Sequence, residues 1–532
     1  MPLRFREMLP ETGIQYSNVG GEADKRFIAS SLGSGAALID YDEDGDLDLY
    51  FVNGARVDGV RVVHEASNRL YRNDGDWGFV DVTEEAGVGD TGWGFGCAVG
   101  DYDNDGHADI YVTNRGANVL YRNRGDGTFE DVSRSAGVAH EGFGTSTLFF
   151  DADADGYLDL YVTNYSQFVI ADLPLPGGGP NCMWFGIPVF CGPSGLVGSP
   201  DVFYRNTGNG SFVDETHRAG LNGTNGAYGL GVVAGDYDDD GDPDLYVAND
   251  SMPNFLYEND GSGTFEEVAL FSGVAYNADG LAQAGMGVDM ADLDGDARLD
   301  LFVTNFSHDT NTLYRNSGGG LFADATAIVD LRQATWFYLG WATRAADFDN
   351  DGWNDLFTVN GHVYPRAEDA GRETSYRQRN QLFWNRDGTF RELAWADGDG
   401  MLSEASSRGG AFGDLDDDGD IDAVIVNVDD VPSLLRNEQG GRSLTLRLLG
   451  RSSNRSAIGA RVRLTVDGVV RVHEARPSGS FLSSNDARVH IGLGAGVIEE
   501  LEILWPSGMR QIVEAPSEDV RGLSIVEGVP VR

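Results

Sequence analysis

Lysine is almost missing from this chain. The 38 basic residues are all arginine except Lys25, they face 85 acidic ones, and the formal net charge is −47. A single lysine leaves almost no room for Schiff-base or lysine general-base chemistry. A field of this sign repels nucleic acid and anionic membrane surfaces, so no nucleic-acid partner is expected. Long apolar runs are missing too. None approaches the roughly 18 residues that a membrane-spanning helix needs, and the start, MPLRFREMLPETG, lacks the apolar core of a secretory signal. The chain is therefore expected to be cytoplasmic, or extracellular or periplasmic with its signal removed. There is no HExxH, no closely spaced histidine pair and no GxSxG, since GPSGL at Gly192 lacks the closing glycine. Zinc hydrolysis and nucleophile-elbow chemistry have no support.

What abounds is aspartate at alternate positions. DYDNDGHAD places carboxylates at Asp101, Asp103, Asp105 and Asp109. Ca²⁺ takes six to eight oxygen ligands, and alternate side chains of a tight loop converge on one point where a glycine, here Gly106, permits the turn. The stretch recurs with Asp40, Asp42, Asp44, Asp46 and Asp48; with Asp151, Asp153, Asp155 and Asp159; and with Asp236, Asp238, Asp240, Asp242 and Asp244. It recurs again with Asp292, Asp294, Asp296 and Asp300; with Asp347, Asp349, Asp351 and Asp355; and with Asp414, Asp416, Asp418, Asp420 and Asp422. A lone DxDxDG is as readily a polar turn, but seven copies in one setting point to a repeat architecture with up to seven Ca²⁺. The copy at Asp292 departs from the pattern, with Ala297 in the glycine's place and Gly295 two residues earlier. More than a third of the acidic residues lie in these loops. Without metal they crowd and repel, so folding is expected to be coupled to calcium.

Each loop sits in a fixed unit: a glycine-rich apolar run, the loop, an apolar strand such as DIYVTN, a connection, an aromatic strand such as NVLYRN, a glycine turn and a last strand such as TFEDVS. Four short strands per unit in a meander predict an all-β, seven-bladed β-propeller over residues 1–440. The irregular spacing lies between the second and third strands, which leaves one face a uniform calcium rim and gives the other the variable loops. The seventh unit lacks a last strand. FREMLPETGI at Phe5 matches FVDVTEEAGV at Phe79, so the N-terminus is expected to complete that blade. From about Gly441 the loops stop, and runs such as SLTLRLL, ARVRLTV and ELEILW read as a small all-β domain over 441–532.

The repeat resembles the FG-GAP or VCBS type of integrin α-subunit propellers. The C-terminal stretch is similar to the ASPIC/UnbV domain through NRSAIGARVRL at Asn454, RPSGSFLSSND at Arg476, VHIGLG at Val489 and WPSG at Trp505. Together they resemble the cartilage acidic protein family, including its bacterial members. That resemblance implies an extracellular calcium-binding propeller used for adhesion or binding. It also raises a competing class, an accessory protein or enzyme of enediyne or polyketide-type biosynthesis that holds a small molecule at the propeller mouth.

Cys182 and Cys191 lie in a Gly/Pro-rich insertion of the third blade. They form a disulfide in an oxidising compartment or stay two buried thiols. Cys97 reads as a small core residue. On the variable face, the long sixth-blade connection carries His362, Tyr364, Arg366, Tyr376, Arg377 and Arg379, and the fifth-blade connection adds His308 and Asp309. Such a set either lines an axial mouth for an anionic or polar ligand or is a well-bonded loop packed on its neighbour. With no catalytic signature present, a non-enzymatic binding, adhesion or scaffold protein is expected, its partner a protein, glycan or small molecule on this face.

Overall fold

The computed structural model describes residues 3–58, 61–179, 181–221, 226–396, 398–517 and 520–531. The fold is all-β. Six antiparallel four-stranded units follow one another along the chain, beginning with Ala36–Ile39, Asp48–Phe51, Arg69–Asn73 and Phe79–Asp81 as blade 1; the units of blades 2 and 3 are joined into one sheet where Glu141, Gly142 and Phe143 pair with Ala117, Gly116 and Arg115. The first strands of blades 2 to 6 are Gly94–Gly100, Glu141–Phe150, Gly229–Gly235, Val288–Ala291 and Gly340–Ala346. Blade 7 takes Ser407–Gly413, Asp422–Asn427 and Ser433–Asn437 from one end of the chain and Phe5–Glu7 from the other. Phe5 faces Asn437 there, the register in which Phe79 faces Asn73 in blade 1. Even the following turn repeats, because Leu9–Thr12 ends on Gly13 at φ 79° as Thr83–Ala86 ends on Gly87 at φ 77°. Each first strand touches the first strands of both neighbouring blades, and that of blade 7 touches that of blade 1. The ring is closed and leaves no exposed sheet edge at its seam.

Burial follows position in the blade. The second strand of blade 3, Asp159–Asn164, is buried along its whole length because both its faces pack on neighbouring blades. The last strand of blade 2, Phe129–Asp131, buries Phe129 and exposes Asp131 to solvent. Leu446, Val462, Leu501, Ile503 and Trp505 build a separate core for the C-terminal part. This part has two sheets, one ordered Val489–Gly492, Ser443–Leu449, Gly522–Val526 and the other Val469–Glu474, Arg461–Val466, Ile498–Leu504, Arg510–Val513.

The C-terminal sheets lie on the face of the ring that carries the aspartate loops. Arg461 Nη2 reaches Asp239 at 2.7 Å, the Arg455 amide donates to Asn104 at 2.8 Å and His490 Nε2 lies 2.8 Å from Asn350. From there residues 477–486 descend onto the axis. Ser484 bridges to Ala37 of blade 1 and Ser480 to Val288 of blade 5, while the Leu482 carbonyl accepts the Cys97 amide at 3.1 Å. Phe481, fully buried, packs against Trp341 at a tilt, with ring centroids 4.9 Å apart. A Cβ on Gly35 would stand 1.7 Å from the Leu482 carbonyl oxygen, so glycine is what lets the loop pass.

Candidate metal centres

Each aspartate loop joins the first strand of a blade to the second, and its carboxylates are held by its own backbone. In blade 2, Asp101 accepts from the amides of Asp105 at 3.1 Å and Gly106 at 2.8 Å, and Asp105 accepts from His107 at 3.0 Å. Asp109, wholly buried, accepts from Tyr102 at 3.2 Å and from Asn123 on the third strand at 2.8 Å. Asp48, Asp159, Asp244, Asp300, Asp355 and Asp422 make the same two-sided contact in their blades. Two residues per loop take a left-handed backbone, the fourth and the sixth, as Asn104 and Gly106 do in blade 2. In the divergent loop, glycine sits at the fourth place and Ala297 takes the sixth at φ 67°. The Ala297 amide still donates to Asp292 at 3.0 Å, so the cradle survives the exchange.

These residues fit a cation. One carboxylate oxygen from each of Asp101, Asp103 and Asp109 lies within 4.8 Å of the other two, and the same holds for Asp40, Asp42 and Asp48, for Asp151, Asp153 and Asp155, for Asp236, Asp238 and Asp244, and for Asp292, Asp294 and Asp296. Asp153, Asp294 and Asp416, all at the third loop position, each keep a buried carboxylate oxygen with no hydrogen-bond partner. Each also meets an arginine of a third strand (Arg205, Arg315 at 3.3 Å and Arg436 at 2.8 Å), and Asp416 accepts from Trp77 Nε1 at 2.8 Å as well. Burial pushes Asp101, Asp151 and Asp414 up to about 7 and Asp48 and Asp300 to about 8. Neighbouring aspartates add to the shift in each loop. An all-oxygen donor set of this kind suits a hard divalent ion. At the seventh position, Asp46 and Asp242 stand outside these groups. Asp420 is spent on the Asn350 side chain at 2.8 Å and the Gly440 amide at 2.5 Å.

A ring of asparagines escaped the sequence reading. An asparagine at or next to the end of each third strand (Asn73, Asn123, Asn206, Asn259, Asn316, Asn385 and Asn437) donates from Nδ2 to a carbonyl in the aspartate loop of the preceding blade. A second bond ties six of them to their own loop, as from Asn206 to Leu158 at 2.9 Å. The signal was the asparagine repeated at one place in every unit; its partner lies in another blade and leaves no mark in the local pattern.

On the opposite face the disulfide is formed, with Cys182 bonded to Cys191, and Cys97 is a buried free thiol. The pinned loop folds inward over the axis. Trp184 lies 4.8 Å from the His362 ring and 5.6 Å from Tyr364, and Phe190 lies 5.0 Å from Tyr364. His362, wholly buried, accepts the Tyr364 amide at Nδ1 and bonds Ser307 through Nε2 at 3.0 Å. Tyr364 is covered as well, so neither residue faces an open mouth. His308 bonds the Arg372 carbonyl at 2.9 Å, Asp309 accepts from Gln283 at 2.6 Å, Arg366 and Arg377 pair with Asp369 and Asp430, and Arg379 pairs with Glu392 at 2.6 Å. Tyr376 donates its amide to Glu368 at 2.9 Å and is half-buried. Packing and internal pairing thus take up the set. Arg408, buried beneath it, spends its guanidinium on the carbonyls of Ser31, Gly361, His362 and Ser407 and stacks 4.3 Å over Trp341.

Comparison with known proteins agrees with this geometry. The FG-GAP-like repeat family matches residues 40–112, 101–162, 189–247, 236–303 and 292–358, and the ASPIC and UnbV family matches residues 450–528. Cartilage acidic protein 1 of Xenopus tropicalis is 29% identical over 297 residues, which is 54% of this chain and 43% of that protein. Its human counterpart is 27% identical over 328 residues, 60% of this chain and 46% of that one. The chain thus spans under half the length of these relatives. Among solved structures, an Agrocybe aegerita lectin that recognises non-reducing terminal N-acetylglucosamine aligns at a TM-score of 0.42 and 15% identity, covering 75% of this chain and 86% of its own, a likeness too loose to bear on binding. No helix among the described residues is long and apolar enough to cross a membrane.

Proposed function

The chain belongs to the FG-GAP-like repeat family and ends in an ASPIC and UnbV domain, homologous to cartilage acidic protein 1, and from that premise we propose that it is a calcium-stabilised, non-enzymatic binding protein. The observation that carries this reading is the repeated aspartate cradle, with its close-set carboxylates and orphaned inner oxygens. Calcium at each loop would neutralise the buried charge and tie the first strand of a blade to its second. The ion's chemistry there is structural. The ring over 1–440 and the domain over 441–532 act as one body, because residues 477–486 enter the ring core. The variable face, pinned by the disulfide, offers the surface for a protein or glycan partner. The disulfide favours an exported protein, extracellular or periplasmic, where millimolar calcium would be at hand to fill the loops. A small molecule on the axis has no support, since the axis is filled from both ends. The test is a thermal melt in calcium and in EGTA. At 100 times the dissociation constant one site adds about 2.7 kcal/mol, so the two melts should lie far apart. Coincident melts would remove calcium from the account.

A further inference from the structure

A cleft of about 610 Å³ lies between the aspartate loops of blades 1, 2 and 7 and the C-terminal sheet built on Ser443–Leu449. That size falls in the ~300–1,000 Å³ range of small-molecule sites. Leu38, Val99, Leu448 and Leu523 give it an apolar lining. Its charged groups divide sharply. Asp40, Asp101 and Asp414 each accept from a glycine of their own loop, Gly45, Gly106 and Gly419, while Glu43 pairs with His107 and Arg521 donates to the Asp418 carbonyl at 2.9 Å. Arg488 is committed to Asp486 at 2.8 Å, Asp417 at 3.0 Å and the Asp414 carbonyl at 2.9 Å.

Arg447 and Arg455 also line the cleft and keep donors in hand. Arg447 makes one long ion pair, from Nη1 to Asp40 at 3.5 Å, and its side chain is 47% exposed, which leaves its other donors to solvent. The Arg455 guanidinium has no partner among the described residues, although its amide is fixed to Asn104 at 2.8 Å. The acids of the lining thus have partners, whereas these two guanidinium groups keep donors free beside an apolar wall. We infer that this cleft binds a small organic anion, its acidic headgroup on Arg447 and Arg455 and its aliphatic or aryl body against Leu38, Val99, Leu448 and Leu523. Guanidinium donors match the paired oxygens of a carboxylate or sulfonate, and the apolar wall rewards a body that a simple inorganic anion lacks.

The experiment is a fluorescence titration of the full chain, in saturating calcium, with 8-anilinonaphthalene-1-sulfonate. Decanoate and its cationic counterpart decylammonium serve as competitors. Displacement by decanoate and not by decylammonium is expected. The double variant Arg447→Ala with Arg455→Ala should weaken binding at least tenfold. Ser524→Trp, which fills the cleft from an exposed position and leaves both arginines in place, should abolish it, whereas Arg218→Ala, an exposed arginine outside the cleft, should change nothing. A melting temperature equal to the parent's for each variant shows that the effect is local. Absence of binding, equal displacement by both competitors, or unchanged affinity in the double variant and in Ser524→Trp would overturn the inference.

Discussion

The side-chain amide of Asn73 donates to the Leu415 carbonyl at 3.0 Å, so blade 1 hangs on the aspartate loop of blade 7. The same bond runs from every blade to the one before it. Any cation held in a loop therefore steadies two blades, the one that contains the loop and the one whose asparagine grips it.

Cutting one of these links should be costly. Asn206 donates to Tyr102 at 2.8 Å and Leu158 at 2.9 Å and accepts from Gly208 at 3.0 Å. Asn206→Ala leaves two buried carbonyls unpaired, a loss of about 2–4 kcal/mol. Urea unfolding in saturating calcium measures it, and a change under about 0.5 kcal/mol would show that water replaces the bonds.

Phe5 closes the ring at the other end of the chain. It is fully buried, with edge contacts to Phe348, Phe357 and Trp395 at centroid distances of 6.2, 6.0 and 5.9 Å. Phe5→Ala should cost about 3–5 kcal/mol. Removing residues 1–10 should cost more, through the lost pairing with Ser433–Asn437. A truncated chain that melts with the parent would place ring closure elsewhere.

Reduction of the disulfide is a local test of the variable face. Cys182 and Cys191 are separated by 9 positions, and closing so short a loop is worth about 2–3 kcal/mol in the chain-entropy model. The Cys182→Ser, Cys191→Ser chain should lose that much in denaturant unfolding and keep its calcium dependence. Loss of calcium response on reduction would mean that the two faces are coupled.

Acid should act through buried histidine. Burial holds His362 down to about 3, from an ordinary value of 6.5, with Arg408 adding to the shift. A folded-state value below the unfolded one means that the unfolded chain takes up the proton first, so the contribution is present at neutral pH and is lost as pH falls from about 6.5 toward 3. Between pH 7.5 and 5 this one group should remove about 2 kcal/mol. Denaturant unfolding in calcium at both values measures it, and His362→Gln should show a correspondingly smaller drop. Equal drops in parent and variant would mean that His362 is accessible to protons in the folded state.

The all-β class and the loop-bearing repeat were legible because they rest on local grammar: aspartate at alternate places, a left-handed residue between them, and apolar runs bounded by glycine. Even Ala297 obeys that grammar, since the displaced Gly295 occupies the other left-handed place of the loop. What stayed hidden is non-local. RPSGSFLSSND was visible as a motif, but nothing in it says that Phe481 packs against Trp341 at the ring axis. His362 and Tyr364 looked available because sequence does not show that Trp184 and Phe190, from an insertion in blade 3, fold over them. Nor does the sequence show that the C-terminal sheets cover the aspartate rim.

The most direct test counts the metal. Metal-free chain brought to equilibrium by dialysis against rising calcium, and assayed for bound ion, should approach seven Ca²⁺ per chain, with half-saturation in the ~0.1–1 mM range typical of extracellular modules. Asp101→Asn, Asp103→Asn together should lower the plateau by one. A chain that binds no calcium at several millimolar, or whose plateau ignores the substitutions, would contradict the account.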